Sequence, residues 1–214
     1  MRLERFPVGP LENNLYLLTA ADSPDAIVVD PSMESEAALQ SILGRGLQVR
    51  RILLTHAHFD HVLMSRRFHE ATGAPVWLHP GDRPWWDRAE QQAALWGFPW
   101  DGAPPIGHWM EDGEEVGIPG IDVAARHTPG HSPGSMTFVT DGGLIVGDVL
   151  FAGSVGRTDF PMSDWNTLVS SVRDVLFDYD DETRVYPGHG PETTIGHERR
   201  TNPFVGDRAA GMEG

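Results

Sequence analysis

Short apolar runs of strand length recur along the chain, separated by amphipathic stretches. They fall at NLYLLTA (14–20), DAIVVD (25–30), VRRILLT (49–55), APVWLH (74–79), IDVAARHT (121–128), SMTFVT (135–140), LIVGD (144–148) and RVYP (184–187). Between the sixth and seventh, TDGGL (Thr140 to Leu144) carries the turn chemistry of a hairpin. Apolar residues at helical spacing predict helices within ESEAALQSILGRG (34–46), HVLMSRRFHEATG (61–73) and SDWNTLVSSVRDVLFDY (163–179). In the last, Ser163 or Asp164 can cap the start, and Leu168, Val172, Val175 and Leu176 form one apolar face. Strands and helices intermingle, and the strand runs are dense enough for two sheets, so an α/β fold is expected. Residues 1–204 form one domain in this reading, and 205–214 a mobile tail.

The segment from Pro80 to Trp109 differs in composition. It holds five of the seven tryptophans, Trp85, Trp86, Trp96, Trp100 and Trp109. A helix around 84–96 that packs its indoles is the expected arrangement; an aromatic lid or dimer patch is the alternative.

Composition then removes several function classes. A length of 214 residues suits a single domain with a substantial core. No apolar run is long enough to span a bilayer, and MRLERFPVGPLENN has no signal-peptide h-region, so neither membrane insertion nor secretion is expected. The chain has no cysteine, which excludes disulfides and thiolate ligands and fits a cytoplasmic protein. Its net charge of −15, with no basic run longer than two residues, disfavours nucleic acid as a partner. All sixteen basic residues are arginine, so neither a Schiff-base nor a P-loop lysine exists.

The candidate chemistry starts at THAHFDH, residues 55–61. In extended chain His56 and His58 point the same way, and Asp60 and His61 follow where the chain turns into a helix. Three further candidates sit just past apolar strands: His131 in the first PGH, Asp148 in LIVGD and His189 in the second PGH. The glycine of each PGH lets the backbone turn the imidazole inward. His69, His79, His108, His127 and His197 lack this context and are expected to be ordinary surface or core groups. Seven donors suit two divalent metal ions sharing one carboxylate. One ion takes His56, His58 and His131, the other Asp60, His61 and His189, with Asp148 bridging. Imidazole and carboxylate without sulfur suit zinc, iron or manganese, and ligand type alone does not choose; zinc is the first expectation. Between two such cations a water is acidified towards a pKa of roughly 7, which supplies hydroxide at neutral pH.

THAHFDH, PGH, GD and PGH in that order resemble the metallo-β-lactamase superfamily, over about Tyr16 to Phe204. The resemblance implies a four-layer αββα sandwich with its metal site on one sheet edge, and the family's ligand set falls on the same seven positions. Asp148 stands where many β-lactamases of this fold carry Cys, so antibiotic hydrolysis is not expected. LFAGSVGRTDFP and YPGHGPETTIGHERRTNPF are similar to the type II glyoxalase (hydroxyacylglutathione hydrolase) branch. That implies a thioesterase acting on a small-molecule thioester of glutathione type or another small thiol. Asp60 would then be catalytic, orienting the hydroxide as well as binding metal. Arg157 is the expected substrate contact, at the place where that branch carries a basic residue; pairing with Asp159 is the alternative. Only 25 residues follow His189, so the branch's C-terminal helical domain is expected to be missing, which opens the site to broader or smaller substrates. GRTDF also resembles the persulfide dioxygenase branch, which would use one iron on His56, His131 and Asp148. A lactonase on the same dinuclear site is a further alternative.

Overall fold

The computed structural model describes residues 1–207 and 209, and two facing sheets form its centre. The first sheet runs in sequence order through β1 (Arg2–Val8), β2 (Asn13–Thr19), β3 (Asp25–Val29), β4 (Gln48–Leu53), β5 (Val76–Leu78) and β6 (Ile106–Trp109). Pairing is antiparallel from β1 to β3 and parallel from β3 to β6. In the second half of the chain come β7 (Val123–His127), β8 (Met136–Thr140), β9 (Gly143–Gly147), a small separate hairpin of β10 (Leu150–Phe151) and β11 (Ser154–Val155), β12 (Arg184–Pro187) and β13 (Thr193–Thr194). Their sheet has the order β13-β12-β9-β8-β7, with β9 and β12 parallel. The helices are α1 (Glu36–Gly44), α2 (Phe59–Val62), α3 (Ser65–Thr72), α4 (Arg83–Trp86), α5 (Ala89–Leu95), α6 (Trp165–Ser170) and α7 (Ile195–Thr201).

The period-2 geometry of a strand explains why the central runs are apolar at every position. Leu15, Leu17, Ala26, Val28, Ile52 and Leu54 face an outer layer with Leu39 and Ile42 of α1 and Phe68 of α3. The alternate residues Tyr16, Leu18, Ile27, Val29 and Leu53 face inward, against Ala125, Met136, Phe138 and Ile145 of the second sheet. On the far side Leu144, Val146 and Val185 meet Leu168 of α6 and Ile195 of α7. Helix, sheet, sheet and helix thus share three apolar layers. Each fully buried Leu, Ile or Val contributes about 1.5–3 kcal/mol.

Three helix expectations need correction. The expected helix around 84–96 is two, α4 and α5, interrupted at Asp87 and Arg88. The predicted helix over 61–73 is two helices, α2 and α3, because the chain breaks around Leu63 and Met64 after delivering the histidines. The predicted helix over 163–179 is regular only to Ser170; it widens to a π turn over Ser171–Val175 and closes with a 3₁₀ turn over Leu176–Asp178. Asp164 caps it, accepting from Thr167 N at 2.7 Å, while the Ser163 hydroxyl goes instead to the His131 carbonyl. Leu168, Val172 and Leu176 are buried as expected, but Val175 is only half-buried. Within the segment expected to be a mobile tail from 205, Val205 and Gly206 are buried, Val205 against Leu168's layer. Residues 208 and 210–214 lie outside the described residues. The hairpin turn at Asp141–Gly142 joins β8 to β9 as predicted.

Because β3 and β4 are parallel, and β9 and β12 are parallel, the ends of all four strands emerge on one edge of the sandwich. Cross-links fasten the two sheets there: Met136 N donates to Thr55 O at 2.7 Å and Asn14 N to Gly188 O at 2.8 Å. Tyr16 reaches across the interlayer, its hydroxyl donating to the Pro187 carbonyl at 2.6 Å, and so anchors the strand that presents His189.

Candidate metal centre

All seven predicted donors meet at that edge. His56, His58, Asp60 and His61 leave β4 into α2; His131 lies in the β7–β8 connection, Asp148 directly follows β9, and His189 follows β12. Ligand atoms of His56, His58 and His131 lie within 4.8 Å of one another, and so do those of Asp60, His61 and His189. Asp148 faces both groups. Its Oδ2 is 3.5 Å from His131 Nε2 and 3.4 Å from His189 Nε2, and its Oδ1 is 3.4 Å from His61 Nε2. The two PGH glycines serve different needs. Gly130 has φ +132°, a conformation that favours glycine, whereas Gly188 is needed for space, since a Cβ there would strike Asp148 Oδ1.

Hydrogen bonds behind the rings fix their tautomers. His131 Nδ1–H donates to the Arg157 carbonyl at 2.8 Å and His189 Nδ1–H to the Leu11 carbonyl at 2.7 Å. His61 Nδ1–H donates to Asp30 Oδ2 at 3.1 Å. Thr55 Oγ1 spends its hydrogen on Asp30 at 2.6 Å, so at 3.0 Å from His56 Nδ1 it can only accept. In their neutral form, the form that ligates a metal, His56, His61, His131 and His189 each direct an Nε2 lone pair at the cluster, and His58 Nδ1 lies 2.8 Å from that of His131. In that form the second group is a set of acceptors with no donor. His61 Nε2 and His189 Nε2 face each other at 3.1 Å between two carboxylates, and His56 Nε2 is buried without a partner. Cations resolve this arrangement, and the donor set fits a divalent metal site.

Burial disfavours the charged form of His56, His58, His61 and His189, and the carboxylates decide where it is overruled. Burial, reinforced by His61 and His58, keeps the His56 pKa well below normal; burial and His131 take His58 down to about 3. His56 and His58 are therefore neutral and ready to ligate at pH 7. At His61 and His189 the burial effect is outweighed by Asp148 and Asp60, leaving His61 well above its ordinary value and His189 at about 10. Asp60 and Asp148, despite burial, are held below the usual carboxylate range by His61 and His189. His61 and His189 would have to give up those protons to ligate a metal.

Two supporting carboxylates escaped the sequence reading. Asp30 accepts from Thr55 N (2.7 Å), Thr55 Oγ1 and His61 Nδ1; with these bonds it stands behind the cluster as a support. It has the same signal as Asp148, an aspartate closing the apolar run DAIVVD. Asp82 carries no such signal. It accepts from Ala57 N at 2.7 Å, Gly134 N at 2.6 Å and the Ser132 hydroxyl, joining the His56–His58 loop to the His131 loop. Asp60 is held by Asn13 Nδ2 at 2.9 Å.

A cavity of about 570 Å³ opens onto His58, Asp60, His131, Asp148 and His189. The Trp-rich segment divides its roles: Trp86, Trp100 and Trp109 pack against the core, while Trp85 and Trp96 wall the cavity. Arg157 also lines it, with its guanidinium on Asp159 at 2.9 and 2.7 Å and over the Phe160 ring. Arg199 and Arg200 are tied to Asp181, away from the cavity. The five remaining histidines have ordinary surroundings, such as His69 on the Ala74 carbonyl, His108 on Glu114, and His79 stacked on His127.

Two His/Asp groups joined by one carboxylate, at one edge of an αββα sandwich, define a metallo-hydrolase domain. The chain belongs to the metallo-β-lactamase superfamily, whose profile matches residues 8–189. It is 35% identical over 213 residues to the hydroxyacylglutathione hydrolase GloC of Haemophilus influenzae, covering 98% of this chain and 100% of that one. Among solved structures, the BLEG-1 B3 metallo-β-lactamase superposes with a TM-score of 0.88 at 36% identity, covering 95% of this chain and 99% of the other. TTHA1623, solved in a di-iron-bound form, superposes at 0.84 with 40% identity, covering 94% and 100%. Among the described residues, no helix is long and apolar enough to cross a membrane.

Proposed function

We propose that the protein is a thioesterase of the cytoplasm that hydrolyses small thioesters, glutathione conjugates or others, on two divalent cations, with zinc the first candidate. The observation that carries this reading is Asp148, whose carboxylate faces both ligand groups at 3.4–3.5 Å. His56, His58 and His131 would hold one cation and Asp60, His61 and His189 the other. Cations so placed supply an acidified water and positive charge for a developing oxyanion. The chain's own residues do the rest. Asp60, fixed by Asn13, orients the attacking water; hydrolysis forms the C–O bond and breaks C–S, and the water's proton leaves with the thiol. Arg157 at the rim holds one anionic group of the substrate, sharing its guanidinium with Asp159. The name of the Haemophilus relative supports the thioester class.

The test compares four assays on protein purified without added metal: S-lactoylglutathione hydrolysis, oxygen uptake with glutathione persulfide, lactone hydrolysis and β-lactam hydrolysis. The last is included because a relative bears the name of a B3 metallo-β-lactamase. Thioester cleavage lost in Asp60→Ala supports the proposal. Oxygen uptake on a single iron, or lactone or β-lactam cleavage with inert thioesters, overturns it. For Arg157→Ala, KM for an anionic thioester rises several-fold; an unchanged KM removes Arg157 from the site.

A further inference from the structure

Beyond His58, Asp60, His131, Asp148, His189, Gln92 and Arg157, the wall of the cavity is apolar or aromatic. Trp85 and Phe160 stand edge-on to His58, with ring centroids at 4.8 and 5.2 Å, and Phe151 stands beside His189. Leu95 and Trp96, at the end of α5, continue this wall outward with 87% and 57% of their surface exposed, large apolar side chains left in water at the mouth. Trp96 is not loose: it stacks on Phe59 at 6.0 Å, and Phe59 lies between the ligands His58 and Asp60 in the chain. The apolar wall is thus built onto the metal-binding motif itself.

Two polar side chains of the wall, Gln92 and Arg157, are engaged with the protein itself. The Gln92 amide donates to the Trp85 carbonyl at 2.9 Å, and the Arg157 guanidinium is bidentate to Asp159. A glutathionyl group carries two carboxylates and an ammonium. Here it would meet one shared guanidinium, no lysine, and a protein of net charge −15 that repels anions. Apolar surface left in water beside a reaction centre marks a place where apolar surface is bound.

We infer that the group filling this cavity is apolar, an alkyl or aryl group carried by the scissile thioester rather than a multiply charged peptide. This rests on the thioesterase reading and narrows its substrate class. The group sits on either the acyl or the thiol side of the carbonyl, and two substrate series tell which. The metal-loaded enzyme is assayed with acetyl to octanoyl thioesters of N-acetylcysteamine, with acetyl thioesters of ethanethiol to hexanethiol, and with S-lactoylglutathione. In one series kcat/KM rises about two- to fourfold per methylene, the range from half to full burial. In Leu95→Ser/Trp96→Ser, both exposed positions, that rise is flattened. A non-cleavable octyl thioether quenches tryptophan fluorescence with a Kd that tightens by a similar factor per methylene. Flat series, chain-length-independent binding, or a glutathione conjugate preferred over every alkyl substrate overturns the inference and leaves the thioesterase reading in place. Cleavage of none of these thioesters overturns both.

Discussion

Asp30 is 1% exposed and accepts three hydrogen bonds behind the second ligand group, from Thr55 N, Thr55 Oγ1 and His61 Nδ1. Asp30→Asn keeps its shape and tolerates its left-handed φ of +49°. The amide oxygen can still accept from Thr55 N. The amide nitrogen, however, now points a donor at Thr55 Oγ1 and at His61 Nδ1–H. One charge-assisted bond is lost at about 1.5–3 kcal/mol, so stability falls by roughly 2 kcal/mol. At about 2–4 °C per kcal/mol for a chain of this size, the metal-free protein melts about 4–8 °C lower. The larger consequence is at the metal. To keep a hydrogen bond, His61 must move its proton to Nε2, the atom that faces Asp60, Asp148 and His189. Affinity at that group falls about 10- to 100-fold. Competition against a chromophoric chelator measures the affinity, and thermal unfolding of metal-free protein measures the stability. A variant that binds metal within twofold of the parent, whatever its melting temperature, refutes the idea that Asp30 sets the His61 tautomer.

Three other outcomes follow from the same geometry. In Gly188→Ala the new Cβ collides with Asp148 Oδ1 and lies 2.7 Å from His61 Cε1, so metal content drops and hydrolysis falls by at least 100-fold while the circular dichroism spectrum is retained. Asp82→Ala strands three buried donors, Ala57 N–H, Gly134 N–H and the Ser132 hydroxyl, and urea denaturation shows a loss of about 3–5 kcal/mol. His79 is depressed to about 4 by burial and by His127, and its neutral Nδ1 accepts from Gly81 N. Below pH 6.5 the unfolded chain takes up a proton that the folded chain refuses, so stability falls as pH drops from about 6.5 towards 4. Urea midpoints at pH 7 and pH 5 decline less in His79→Asn, which keeps an acceptor without the titration.

Much of the site was legible because metal ligation imposes both residue type and place. Four donors within Thr55–His61, and three more just past apolar strands, cannot be explained by packing, and the structure brings all seven together. The central strands were equally plain, since burial on both faces leaves only apolar residues. β1 was missed because it is an edge strand, RLERFPV, half-exposed along its length and with Pro7 in it. β6 was missed because IGHW has no apolar pattern of its own and joins the sheet through pairing with β5. Asp82 could not be found from sequence, because its three partners are set by the meeting of two loops distant in the chain. The break at Leu63–Met64 was hidden because neither glycine nor proline marks it in the sequence.

The central claim is that one carboxylate, Asp148, serves two cations. Anomalous diffraction from crystals of the protein as purified tests it most directly. Two peaks are predicted, one among His56, His58 and His131 and one among Asp60, His61 and His189, with the Asp148 carboxylate between them. A single peak on His56, His58 and His131, with His61 and His189 turned away from any metal, contradicts the account.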